Sequence, residues 1–396
     1  MFTIKQKSRH SIYETAFRSL EYGAGKILGR LADILRGKPS DLSSTIEPQS
    51  ISFPRDLYAH SNVQTEWWYY TGHCCTASGK RFGFELVFFK RQTDHDFLSF
   101  LPLRLLANPM YAAHFALTNI EAETFQFADL KSFSCPLDIP ASASEDRLDL
   151  EIGNWKIYEK EGLQYLHASI KDQVVFDAAV KQRKAAALNG HRKAAQDTGD
   201  QDRSSHFSFT RMAIEGVITD RGVSESFTGS AWMDREFGTW YQRNWDWFSI
   251  QLEDETELMI YQFRNSDDQP SSLSHGTFVD KNGKCVYLDA GDFTIDVIDK
   301  WKSPKTKTEY PSGWRLRVEK LGIRLSITPH LKDQELDTRQ TTMIIYWEGA
   351  CSVSGSRNGK AINGSAYAEL VGYDGADEKP TLLKFLKGFI KKQTGS

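Results

Sequence analysis

Asp234 stands in the stretch SAWMDREFGTWYQRNWDWFSIQL (230–252), which collects acids, two arginines and four tryptophans. If the strand alternates, Trp232 and Asp234 share a face. A carboxyl on an aromatic, water-poor face has its pKa raised. It could then stay protonated near neutral pH and give a proton to an alkene or carbonyl. An ion pair with neighbouring Arg235 would do the opposite and hold it ionised. The plainer alternative is a structural acceptor for backbone donors in the turn MDREFG.

Asp246 lies between Trp245 and Trp247. Alternation puts both tryptophans on one face and Asp246 with Phe248 on the other. Periodicity leaves open which face looks inward, and Asp246 reads more simply as a rim or hairpin group. Glu66 opens EWWYY and Glu85 sits inside FGFELVFF. Acids in such apolar runs are costly unless paired. Both are candidate polar anchors of a ligand site, with Trp67 and Tyr69 as wall residues. His206, before FSFTRM, could act as acid, base or ligand-orienting donor. His73 and His114, also in strand-like runs, read as packing residues. No histidine pair has metal-ligand spacing, so no metal is expected. No GxSxG, GxGxxG or GxxxxGK[ST] motif is present, and no cofactor is expected.

The elements that must position these residues are strands. EWWYYTGHCCTASGKRFGFELVFFKRQ (66–92) reads as a hairpin turning at Ser78-Gly79. A second hairpin covers 245–264 and turns at Glu253–Thr256. Short runs at hairpin spacing follow to residue 373, the pattern of an antiparallel barrel or sandwich. Residues 181–205, almost without large apolar groups, read as a long exposed loop. Residues 11–37 and 382–392 have helical apolar spacing, and the second carries four lysines. Such basic amphipathic helices can lie on an anionic membrane surface or dock on the protein body.

At 396 residues the chain suits two domains of roughly 150–180 residues. A net charge of −3 offers no general attraction to nucleic acid. Ten Trp, fifteen Tyr and 24 Phe favour sheets or an apolar ligand site. The five cysteines fit no zinc pattern and read as reduced thiols of a cytoplasmic protein. The start of the chain lacks a signal-peptide pattern, and no apolar run is long enough to span a membrane.

Segments including TEWWYYTGH, HFSFTRMAIEGVI, GSAWMDREFG, NWDWFSIQLEDETELMIYQFR, YWEGACSVSG and GSAYAELVGY resemble the carotenoid 1,2-hydratase (hydroxyneurosporene synthase) and AttH-like proteins. The resemblance runs over roughly 62–374, in family order. It implies two tandem lipocalin-like domains with an apolar ligand site near their junction. It assigns Asp234 as the acid that protonates an alkene, with the aromatic Trp232 two residues earlier. The hydratases' upstream His-x-Trp element is met here by His206-Phe207-Ser208, without the tryptophan. The WMDREFG form is closer to the AttH-like branch.

The combined expectation is an all-β protein of two tandem lipocalin-like antiparallel β-barrel domains, 51–230 and 231–376. Short amphipathic helices lie within 1–50 and 377–396. Its ligand is a long apolar, isoprenoid-like molecule, and basic terminal helices allow peripheral membrane contact. The protein is a cofactor-free hydratase or cyclase or, alternatively, a non-catalytic carrier of lipids. Asp234 and His206 are the catalytic candidates. Trp232, Trp245, Trp247, Glu66, Glu85, Trp67 and Tyr69 are the ligand-binding candidates.

Overall fold

A computed structural model describes residues 51–375, except 95–96, 99–100, 103–107, 135–137, 172, 190–202, 240–243 and 266. The helices expected for 11–37 and 382–392 lie outside the described residues. No described helix is long and apolar enough to cross a membrane.

The described residues form two large antiparallel sheets, of twelve and ten strands. Nine strands build the region between them: β1 (Thr65–Thr76), β2 (Arg81–Arg91), β3 (Met110–Asn119), β4 (Arg203–Asp220), β5 (Val223–Thr239), β6 (Asn244–Leu252), β7 (Glu257–Arg264), β8 (Ile345–Arg357) and β9 (Lys360–Val371). The first sheet contains the order β3-β2-β1-β5-β4 and the second β7-β6-β9-β8. The 66–92 and 245–264 segments form hairpins, with Gly79 and Glu255 at positive φ in the turns.

Alternation gives each sheet two apolar faces. One face of the first sheet carries Trp68, Tyr70, Phe84, Leu86, Phe115 and Met233 into a core of its own. The second sheet does the same with Phe248, Ile250, Leu258, Ile260, Val353 and Leu370. The opposite faces meet each other: Tyr69, Val87 and Trp232 pack on Trp247, Met259, Tyr261, Ala350 and Tyr367. Gly83 lets the sheets approach, because a Cβ there would fall 2.5 Å from that of Ala350. The vicinal thiols follow the same rule: Cys74 is buried and Cys75 exposed, and neither is in a disulfide.

β4 carries a bulge. Its register on β5 shifts between Phe209 and Met212, so β4 has one residue more than its partner. Phe207 and Phe209 face the core before the bulge, and Met212, Ile214 and Ile218 after it. Parity changes from odd to even, and the core face stays apolar along the strand. Thr210 and Arg211, at the shift, both hydrogen-bond Glu257 of the second sheet, Arg211 at 2.5 Å.

Two expectations need correction. Residues 181–205 are not one exposed loop. Lys181 and Gln182 end a strand, and Ala187–Asn189 pairs with β4, which begins at Arg203. Between them the half-buried Lys184 pairs with Glu257 at 2.8 Å. A strand that buries an alanine and an asparagine leaves no apolar signal in the sequence. The boundary at 230/231 falls inside β5, which pairs with β1 from Phe227 to Gly238. The chain passes from one sheet to the other between Thr239 and Asn244.

Candidate functional site

A cavity of about 90 Å³ lies between the two sheets. On the first sheet it is lined by Trp67 and Tyr69 of β1, Glu85, Val87 and Phe89 of β2, His206 of β4, and Asp234 and Glu236 of β5. Register explains the grouping: Tyr69 lies opposite Asp234, Trp67 opposite Glu236, and His206 opposite Glu236 on the other side. The second sheet contributes Trp245, Trp247, Tyr261, Tyr346 and Glu369. Here Trp247 is cross-strand from both Tyr261 and Glu369.

Asp234 is almost fully buried and is placed as an acceptor. The Trp232 indole N–H donates to its Oδ1 at 2.6 Å. The Ser208 hydroxyl donates to the same oxygen and itself accepts from Asn189 at 2.7 Å. On the other side His206 Nε2 stands 3.0 Å from Oδ2, an ion-pair contact. His206 Nδ1 is 4.0 Å from Glu236, whose other oxygen accepts from Ser204 at 2.6 Å. Burial opposes a charge on His206, but the carboxylates of Asp234 and Glu236 outweigh it and hold its pKa above the usual value. Burial also pushes Glu236 up, with His206 acting against it.

Glu85 on the first sheet faces the acids Glu348 and Glu369 of the second, and among the described residues no cation is paired with them. Burial pushes Glu85 up to about 8, against the Tyr346 hydroxyl that donates to it at 3.1 Å. Burial holds Glu369 at about 7, although the Trp245 indole donates to it at 3.0 Å. Glu348, cross-strand from Glu369, is raised well above the ordinary value by burial and by Glu85. Tyr69 of the first sheet donates to Glu348 at 2.7 Å.

These acids set the pH dependence of stability. Between about pH 4.5 and 8 the folded protein holds protons on Glu85 and Glu369 that the unfolded chain has released. Their stabilising contribution is full below about 4.5 and is lost as pH rises through 7 and 8. Glu66 acts in the opposite sense: its pKa of about 2 contributes above 4.5 and is lost as pH falls. Melting temperature should therefore peak near pH 5 and fall by several degrees toward pH 9. Glu85→Gln and Glu369→Gln should flatten that alkaline limb in a fluorimetric pH series. A melting temperature that climbs from pH 5 to 9 contradicts the assignment.

The structure brings together Asp234, His206, Trp67, Tyr69, Glu85, Trp245 and Trp247 around one cavity. Trp232 is not among the lining residues; it supports Asp234 from the same face and meets Trp247 edge-on at 6.1 Å. Glu66 is a correction. As the neighbour of Trp67 it points to the opposite face, where Arg235 at 2.5 Å, Lys90 at 2.9 Å and His60 at 3.1 Å surround it. Arg235 therefore does not touch Asp234. Asp246 points away from Trp245 and Trp247, and is ion-paired to Arg264 and bonded by Tyr373. His114 contacts the Tyr346 hydroxyl at 2.7 Å, and His73 the Ala366 carbonyl at 3.0 Å. Sequence reasoning missed Tyr346, Glu348 and Glu369. The signal was present in YWEG and SAYAELVGY, where an acid interrupts an apolar strand just as Glu85 does.

Two solved structures share this architecture. A protein assigned as AttH from Nitrosomonas europaea is 27% identical, with a TM-score of 0.73 over 84% of this chain and 99% of that one. Kievitone hydratase from Nectria haematococca is 16% identical, with a TM-score of 0.61 over 86% and 98%, and shares the fold. No curated protein sequence matches the chain. The description AttH-like covers residues 44–373, the whole region that carries both sheets and the cavity, and the chain belongs to the AttH-like family.

Proposed function

We propose that this cavity performs acid–base chemistry on a carbon–carbon double bond of an apolar, isoprenoid-like molecule, adding water or closing a ring without a cofactor. The observation that carries the reading is the buried His206–Asp234 ion pair opening onto an aromatic-walled cavity. His206 is read as the proton holder: the carboxylates of Asp234 and Glu236 keep its imidazole charged against burial, while Trp232 and Ser208 both donate to Oδ1 of Asp234. Asp234 engages Nε2, which leaves the Nδ1 proton of the imidazolium to move. It passes to one alkene carbon and leaves a tertiary cation on the other. The ring faces of Trp245, Trp247 and Tyr261 stabilise such a cation by about 1–2 kcal/mol each when desolvated. Water then bonds to the cation and returns a proton to His206, giving an alcohol. In ring closure a second double bond takes the place of water, and a neighbouring C–H supplies the returning proton.

A cavity of about 90 Å³ is well below the roughly 300–1,000 Å³ of sites that enclose a drug-sized ligand. It receives the reacting end of a long molecule, not its whole length. The likeness to a hydratase adds a fold-level analogy only. The test is to extract the purified protein with organic solvent and identify bound molecules by mass spectrometry. Those molecules, and a panel of terminally unsaturated isoprenoids, are then incubated with it in ¹⁸O-water. Uptake of one labelled water, or isomerisation to a ring of equal mass, is expected. A carrier would release an unaltered ligand and transform none of the panel.

A further inference from the structure

Two polar groups on the cavity wall are not used by this chemistry. Glu85 Oε2 and the Trp247 indole N–H are buried and have no hydrogen-bond partner among the described residues. Both side chains line the cavity. The protonation pattern around Glu85 follows from its neighbours. The Tyr346 hydroxyl spends its one hydrogen on Glu85 Oε1, so its oxygen receives the N–H of His114 Nδ1 at 2.7 Å. Oε1 is thus an acceptor, and the proton of a neutral carboxyl sits on Oε2, the oxygen without a partner. Among the described residues no cation is paired with Glu85, and its titratable neighbours on the facing sheet are the acids Glu348 and Glu369. Burial favours the neutral form of such a group.

The wall therefore offers two donors, a carboxyl O–H and an indole N–H. A hydrocarbon would leave both desolvated and unpaired, which is unfavourable. We propose that the end of the ligand held in this cavity carries an oxygen acceptor, a carbonyl, ether or hydroxyl group on an apolar frame, received by Glu85 and Trp247. This rests on the reading that the cavity takes the reacting end of an apolar molecule, and it narrows the substrate from plain hydrocarbons to oxygenated ones.

Cyclopentanone and methylenecyclopentane provide the probe, since they differ only in C=O against C=CH₂ and are small enough for the cavity. Their dissociation constants for the full-length protein are measured by ligand-observed NMR. The expected result is a ratio of ketone to alkene affinity that falls about tenfold in Glu85→Leu and again in Trp247→Phe, one lost donor each. Glu85→Gln keeps a donor and should keep the ratio, which controls for a packing defect in the leucine variant. A ratio unchanged in both Glu85→Leu and Trp247→Phe overturns the inference while leaving a ligand site in place. Failure of the protein to bind either probe overturns the ligand site and the inference with it.

Discussion

Asp234→Asn should reduce turnover by roughly 10²–10⁴-fold, the usual worth of a positioned acid–base group. The argument is electrostatic. His206 is buried, and its charge is sustained chiefly by Asp234, then by Glu236. An amide at position 234 removes the partner 3.0 Å from Nε2, and the imidazole pKa falls toward and below its ordinary value. Less of the protein then carries the transferable proton, and the remaining activity should shift to lower pH. Probe affinity should change little, since the aromatic walls are untouched. The measurement is a pH–rate profile of label uptake, with the melting temperature as a check on folding. An unaltered profile at full rate would remove Asp234 and His206 from the chemistry.

Arg235→Met should be the most destabilising single change near the site, by about 3–5 kcal/mol, because it leaves a buried charge short of its partner. Glu66 is 1% exposed, and Arg235 is its strongest charge partner. The guanidinium also donates to the Tyr58 carbonyl at 2.8 Å and stacks over Trp68 at 3.9 Å. Lys90 and His60 remain to share the carboxylate, so the lower end of the range is expected. Adding Glu66→Leu to Arg235→Met should recover part of the loss, since an uncompensated charge is worse than none. Chemical denaturation of the single and double variants decides this. A double variant less stable than Arg235→Met alone would show that Glu66 contributes by some other means.

Much of this architecture was legible in the residues. Alternation in NWDWFSIQL separates Trp245 and Trp247 from Asp246, and the structure keeps them apart. The two hairpins follow from their turn residues. What could not be read was which face of each strand meets the other sheet. Both faces are apolar: one builds a sheet's own core and the other the contact between sheets. Glu66 was placed beside Trp67 for that reason, although adjacent strand residues cannot share a wall. The role proposed for His206 depends on its meeting with Asp234, which Ser208 and Trp232 also contact, and those meetings are set by the register of β4 on β5. The acids of the second wall stand some 260–285 residues from Glu85, a separation across which no local pattern speaks.

The bulge in β4 has a further consequence. Ser204, His206 and Ser208 precede it, and the apolar row from Met212 to Ile218 follows it. Deleting either Thr210 or Arg211 would put the two halves of the strand in phase. Both halves would then keep their faces: Phe207, Phe209, Met212, Ile214 and Ile218 would alternate regularly on the core side, with Ser204, His206 and Ser208 on the other. A one-codon deletion at this spot thus heals the strand and costs chiefly the grip of the lost side chain on Glu257, so what the extra residue adds to β4 is its tie across to the neighbouring sheet.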